Sequence, residues 1–253
     1  MKTLNNFGKY KILILCIWIC LMSSNVFPQT ESKEILVFAG AGMRLPLNEI
    51  GKKFENQYRV KVLYDFEGSG RLGNKVLVGQ TPDVFIPGSD KWAKILKKNG
   101  YIKNYTPLAF HTPVIITPGE NSNVTCLNDF SNPANKIVLG DTKACAIGGI
   151  STKIFKKTGL DESAMHVRAR GVTVKQLVLW IEGRNADAAI VWKADAVQSG
   201  KVRIVYIPEE DNIINMIPVC PMAENNPAAT AYVNYLLSSE GKEIFNKHGF
   251  KVQ

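Results

Sequence analysis

Four short segments carry residue types suited to holding an anion. They are AGAGMR (Ala39 to Arg44), EGSGR (Glu67 to Arg71), GDTKACAIGG (Gly140 to Gly149) and ARGVTVK (Ala169 to Lys175). Small residues let backbone N–H groups approach a ligand closely, and the start of a helix favours negative charge. Three of the segments directly follow an apolar run rich in strand formers, and all four lead into a helical pattern. The second contains Gly68-x-Gly70-x-x-Gly73, the spacing that cradles a dinucleotide pyrophosphate. That chemistry expects the loop in the first strand-to-helix turn and an acid about 20 residues on, at a strand end. Here the loop follows the second strand, and Asp83 and Asp90 begin a strand and a helix. Four such loops are better explained by one compact anion held between two halves of the chain.

Individual side chains refine this. Arg44 falls in a first helical turn, where a cation opposes the helix dipole at a cost of a few tenths to about 1 kcal/mol; a bound anion would reverse the sign. Its other outlets are solvent or a pair with Glu67. Trp192 ends the strand-like AAIVW; packing is its ordinary role, but at a strand end facing a cleft its indole is a donor without an acceptor. Cys145 lies in the third loop, as a small buried filler or a reactive thiol. Glu67 and Asp141 flank the loops and leave an acceptor open. No catalytic motif is present: no G-x-S-x-G elbow, no H-E-x-x-H and no paired C-x-x-C. The histidines at 111, 166 and 248 are scattered and read as structural or solvated. No catalytic residue and no metal cation site is expected.

The elements that must position these loops alternate. EILVFA, VKVLYDF and DVFIP read as strands, each followed by a helical pattern; in the third helix Ser89 is the expected cap and Gly100 the stop. YTPLAFHTPVIITPG carries three prolines in a strand-like stretch and suits a crossing between lobes. The rhythm resumes with KIVLGD, IGGISTKIFKKTG, VTVKQLVLWIEG and ADAAIVW, then KVRIVYIP and IINMIPVCPM carry the chain back to two closing helices. Alternation of this kind implies mostly parallel sheets covered on both faces. The expected lobes are residues 30–112 with 213–253, and 113–212.

Lys2, Lys9 and Lys11 followed by ILILCIWICLM and SSNVFPQT have the layout of a secretory signal peptide, residues 1–29. The apolar core is too short to span a bilayer, and neither Cys16 nor Cys20 follows the small residue expected before a lipidated cysteine. The expected product is exported and periplasmic, without a lipid anchor. Without the leader the net charge is about +6, with the charges interspersed. That balance favours anionic ligands; no basic run interleaved with aromatics points to nucleic acid. Cys126, Cys145 and Cys220 remain, an odd number that cannot complete a disulfide framework.

The blocks ILVFAGAGMRLPLNEIGKKFE, VKVLYDFEGSGRL, TPDVFIPGSDKWAKIL, KIVLGDTKACAIGG and ADAAIVWKADAV, in this order along the whole chain beyond the leader, resemble periplasmic molybdate/tungstate-binding proteins of ABC transporters. The resemblance implies an α/β, two-lobed, type II periplasmic-binding-protein fold, each lobe a mostly parallel sheet flanked by helices, with the ligand in the cleft between lobes. It implies a solute-binding protein, monomeric and not an enzyme, without a cofactor, that captures molybdate or tungstate and delivers it to a permease and its ATPase. Neutral donors hold the anion in that family. Matched block by block, they fall at Ser69 (hydroxyl), at Ile147 and Val174 (backbone N–H) and at Trp192, where the family has a tyrosine hydroxyl. The first loop usually offers a serine, and here that place is Gly42, followed by Met43 and Arg44. Loss of that serine also suits an exported binding or adhesion protein for an organic anion, a carboxylate or sugar phosphate, since arginine matches carboxylates.

Overall fold

Short, apolar runs of β-branched residues are the backbone of this protein, and two of them, PVIIT and AAIVW, are buried at every position. The computed structural model describes residues 34–119, 122–223 and 225–253, so the expected leader lies outside the described residues. The first half runs β1 (Glu34–Gly40), a 3-10 turn (Ala41–Met43), α1 (Arg44–Tyr58), β2 (Lys61–Glu67), α2 (Ser69–Leu77), β3 (Val84–Ile86), α3 (Asp90–Lys98) and β4 (Thr106–His111). The second half runs β5 (Pro113–Thr117), β6 (Ile137–Gly140), α4 (Ala146–Thr158), β7 (Val167–Gly171), α5 (Val174–Glu182), β8 (Ala188–Trp192), α6 (Lys193–Ser199) and β9 (Arg203–Tyr206). The chain then returns through β10 (Asn215–Pro221), α7 (Pro227–Leu237) and α8 (Ser239–Lys247).

These strands form two five-stranded sheets, ordered β2-β1-β3-β10-β4 and β7-β6-β8-β5-β9. In the first, β1 pairs parallel with β2 and β3, while β10 runs antiparallel to both β3 and β4. In the second, β6 pairs parallel with β7 and β8, while β5 runs antiparallel to both β8 and β9. Four strands in each sheet therefore point one way and one runs back, and the reversed strands β10 and β5 each follow a crossing between sheets. The architecture is the two-lobed α/β arrangement expected.

Helices cover the sheets with stripes of apolar side chains. Leu47, Ile50 and Phe54 of α1 join Tyr232 and Leu236 of α7 and Phe245 of α8 in one core; Leu72 and Val76 of α2 join Leu96 of α3 on the other face of the same sheet. The second sheet has a continuous core that includes Ile154, Leu177, Ile181 and Ile190. A buried polar link ties the first core together: the Tyr64 hydroxyl lies 2.7 Å from both the Leu47 carbonyl and the Tyr232 hydroxyl. Helix α4 ends at Gly159, whose φ of +73° is the left-handed conformation glycine adopts without a steric penalty.

Two local expectations are corrected. Ser89 occupies the N-cap position of α3, but its side chain makes no capping bond; Asp90 in the first turn pairs with Lys94 instead. The fourth glycine-containing loop also follows a strand, β7, whose charged alternation VRARG lies at the sheet edge and hides its strand character. Helix α6, between Trp192 and Gly200, is too short to show a helical period.

The Gly68-x-Gly70-x-x-Gly73 spacing has a packing explanation. A Cβ on Gly73 would lie 2.1 Å from the Trp92 ring, so this glycine is what lets Trp92 of α3 lie against α2. Gly73→Ala is expected to displace that ring and cost about 1–3 kcal/mol, read as a lower midpoint in urea with unchanged ligand stoichiometry.

Candidate functional site

The carboxyl ends of β1, β2 and β3 bring three small-residue loops together. Gly40 packs on the loop after β3: a Cβ there would meet the Gly88 nitrogen at 3.3 Å. Gly88 donates its N–H to Ser69 Oγ at 2.9 Å, which fixes the serine at the first position of α2 and leaves its hydroxyl hydrogen to give elsewhere. Arg71 and Leu72 already donate to the Gly68 carbonyl, so the N–H groups of Ser69 and Gly70 are the ones the helix start leaves over. No side chain caps that start.

His111 closes the same space from β4. Its Nε2 lies 3.7 Å from the place a Cβ on Gly88 would take, and its Cε1 lies 3.9 Å from the corresponding place on Gly42. Its ring stacks at a tilt on Trp192, with centroids 4.9 Å apart, and on Phe250 at 5.2 Å. This is the point where the chain passes from one sheet to the other, since Thr112 accepts from the Lys193 N–H just beyond Trp192. Burial pushes the His111 pKa down to about 4, so the imidazole is neutral at pH 7.

The remaining expected residues lie at the corresponding ends of the second sheet. Helix α4 starts after β6 without a side-chain cap. There Cys145 donates to the Asp141 carbonyl and Gly148 to the Cys145 carbonyl, which leaves the Ala146 and Ile147 N–H groups uncommitted to any main-chain carbonyl. Helix α5 starts after β7 with a capping box. Thr173 and Gln176 exchange side-chain bonds, leaving the N–H groups of Val174 and Lys175 as the free pair. Trp192 ends β8 and is 9% exposed.

Two first-loop residues take other places. Met43 is fully buried in the core of the first sheet, so its side chain is not available to a ligand. Arg44 is exposed, with its guanidinium 4.4 Å from the centroid of the Phe66 ring; it stacks there rather than pairing with Glu67. Glu67 instead accepts from Lys75 at 2.9 Å and lies 3.6 Å from Arg71. Asp141 accepts from the N–H groups of Lys143 and Ala144, which hold its carboxyl below the usual range. Glu67 Oε1 and Asp141 Oδ1 are thus engaged within the protein, while Glu67 Oε2 is shielded from solvent and has no hydrogen-bond partner among the described residues.

Gly88 and His111 are the residues missed by sequence reasoning. PGSD is a fifth small-residue segment after a strand, the same signal as the other four, but its serine reads as a helix cap. His111 sits in FHTP at the crossing, where only tertiary structure shows what it faces. Cys145 is buried, and burial pushes its thiol pKa up, so it is a filler and not a thiolate. Cys126, Cys145 and Cys220 are all free. Among the described residues no His, Cys, Asp or Glu cluster fits a metal ion, and no helix is long and apolar enough to cross a membrane. A surface hollow lined by Asn135, Lys136, Arg184 and Asp187, with a volume of about 460 Å³, lies at the opposite ends of β6 and β8.

The family described as bacterial extracellular solute-binding protein matches residues 35–251. Among curated relatives, the putative ABC transporter substrate-binding lipoprotein YvgL of Bacillus subtilis is 28% identical, covering 98% of this chain and all of that protein. The molybdate-binding protein ModA of Escherichia coli is 24% identical, covering 88% and 91%. Among solved structures, the substrate-binding domain of a putative molybdenum ABC transporter from Clostridium difficile has a TM-score of 0.78 at 23% identity, covering 88% of this chain and all of that one. PEB3 bound to L-phospholactate has a TM-score of 0.69 at 20% identity, covering 87% and 100%. At such identities the two structures show the fold. With its family match spanning nearly the whole described region, the chain belongs to the bacterial extracellular solute-binding proteins, a binding protein of the ABC-transporter type and not an enzyme.

Proposed function

We propose that the protein captures a tetrahedral oxyanion, molybdate or tungstate, and delivers it to an ABC permease driven by its ATPase. The anion would sit at the carboxyl ends of both sheets, between a lobe of residues 30–112 with 213–253 and a lobe of residues 113–212. The observation that carries this reading is the set of donors at the strand ends, the Ser69 hydroxyl and the N–H groups left over at the starts of α2, α4 and α5. Of the flanking carboxylates, Glu67 Oε1 is held by Lys75 and Asp141 Oδ1 by its own loop, while Glu67 Oε2 is left without a hydrogen-bond partner among the described residues. A donor set suits a fully deprotonated oxyanion. Hydrogen phosphate would bring a proton that such donors cannot accept, at about 1–3 kcal/mol unless the proton reached Glu67. The likeness to ModA along most of the chain supports the same class of ligand.

Ser69→Ala is expected to weaken molybdate binding about 5- to 10-fold, the net worth of one hydrogen bond. Calorimetry on the variant checks this, and unchanged affinity would place the pocket elsewhere.

One observation favours a second reading, an organic anion such as a phosphorylated carboxylic acid. Gly42 leaves open space in front of His111, and PEB3, which shares the fold, was crystallised with L-phospholactate. Displacement of bound molybdate by such acids, at concentrations where sulfate has no effect, would decide for it.

A further inference from the structure

His111 is one of the polar groups that the hydrogen-bonding pattern leaves over, as are Glu67 Oε2 and the neighbouring Thr112 hydroxyl. Its Nδ1 is shielded from solvent and has no partner among the described residues. A neutral imidazole carries one N–H. If that proton sat on Nδ1 it would be a buried donor with no acceptor, whereas a shielded nitrogen lone pair is the lesser loss. The proton therefore belongs on Nε2, the ring atom beside Gly88. Gly88 in turn holds Ser69 Oγ. An imidazole N–H and a serine O–H thus converge from either side of one glycine, and Gly42 across the gap presents no side chain that would block the ring edge. Trp192 and Phe250 fix the ring plane by contact on its faces, so the donor direction is set before any ligand arrives.

We propose that His111 is a ligand-contacting, specificity-determining residue whose Nε2–H donates to the anion in the place where Gly42 offers no hydroxyl. The inference rests on the reading above, that the anion lies over Ser69. Burial keeps the ring neutral at pH 7, so it contributes a donor without a fixed positive charge. Histidine at this position also has a property that hydroxyl-bearing side chains lack. Its tautomer is set by the shielded Nδ1, and turning the proton to Nδ1 would let Nε2 accept from a protonated ligand at the expense of a buried unpaired donor. The site is therefore biased toward anions without a proton on the oxygen facing His111.

The test uses calorimetry with molybdate, tungstate, phosphate and L-phospholactate on the leaderless protein and three variants. His111→Phe keeps the ring contacts and removes the donor, and is expected to weaken the tightest of the four ligands about 10- to 100-fold, as for a hydrogen bond to a charged group. His111→Gln retains a donor and is expected to lose less than His111→Phe. Gly42→Ser in the His111→Phe background is expected to recover part of the loss, because a Cβ at residue 42 fits the space. In the wild type, the 15N resonance of His111 Nε2 is expected to keep its proton and to shift on adding the ligand at pH 7. A wild type that binds molybdate or tungstate while His111→Phe binds it equally well, with no 15N shift, overturns the inference and leaves the oxyanion reading standing. A wild type silent to all four overturns both.

Discussion

Gly148→Ala will lower the thermal midpoint by roughly 6–12 °C, and Gly149→Ala, one residue on, will not lower it. A Cβ on Gly148 would lie 2.4 Å from the Gly140 carbonyl oxygen and 2.6 Å from that of Asp141, whereas one on Gly149 would meet nothing nearer than 3.9 Å. The obstruction at Gly148 is main chain, so α4 must withdraw from the end of β6 to admit a methyl group. Overpacking of this kind costs about 3 kcal/mol or more, which corresponds to that midpoint change for a chain of this size. At Gly149 the same substitution relieves the poor helix propensity of glycine, worth about 0.8–1 kcal/mol. Because α4 carries the Ile147 N–H, Gly148→Ala should also weaken anion binding more than Gly149→Ala does. Equal midpoints for the two variants would show that the loop does not dock as described.

Asp195→Asn is expected to stabilise the protein at pH 7 by about 2 kcal/mol, raising the midpoint by roughly 4–8 °C. Asp195 lies in the first turn of α6, where burial pushes its carboxyl pKa up to about 6 against the opposing pull of Lys175. A folded-state pKa above the ordinary carboxylate value means that its contribution is fully present below about pH 4 and is lost as the pH rises through 6. Above that, the native state holds a poorly solvated charge that the amide does not carry. His111 runs the other way. Its folded pKa of about 4 lies below the ordinary 6.5, so its contribution is present above about 6.5 and is lost as the pH falls toward 4. The two slopes oppose each other between pH 4 and 6. Asp195→Asn should therefore uncover the loss on acidification that belongs to His111, visible in urea midpoints at pH 4.5, 5.5 and 7.

How far this was legible in the sequence follows from what each feature depends on. Runs such as VKVLYDF and AAIVW, bounded by small residues and followed by helical periods, read as alternating strands and helices because burial and turn chemistry are local. The reversed strands β5 and β10 were legible as extended segments but not in direction, since both faces of a central strand are apolar and leave no register mark. Ser69, Ile147 and Val174 were singled out by a rule that is itself local, small residues at a strand end feeding a helix start. Their leftover N–H groups are where that rule puts them. His111 escaped because β10 lies between β3 and β4 in the sheet, so its approach to Gly88 and Ser69 exists only once the whole first sheet has formed. Arg44 was ambiguous for the same reason: its partner, the face of Phe66 on β2, depends on how α1 packs.

The central claim, a donor-lined cleft selective for a fully deprotonated tetrahedral oxyanion, is tested most directly by one measurement. Calorimetric titration of the leaderless protein with molybdate, tungstate, sulfate and phosphate under matched conditions compares anions that differ in size and protonation. The account predicts tight binding of molybdate and tungstate, with no heat from sulfate or phosphate. Tight phosphate binding with molybdate silent would contradict it, and would point to Glu67 Oε2, which has no hydrogen-bond partner among the described residues, as the acceptor of the phosphate proton.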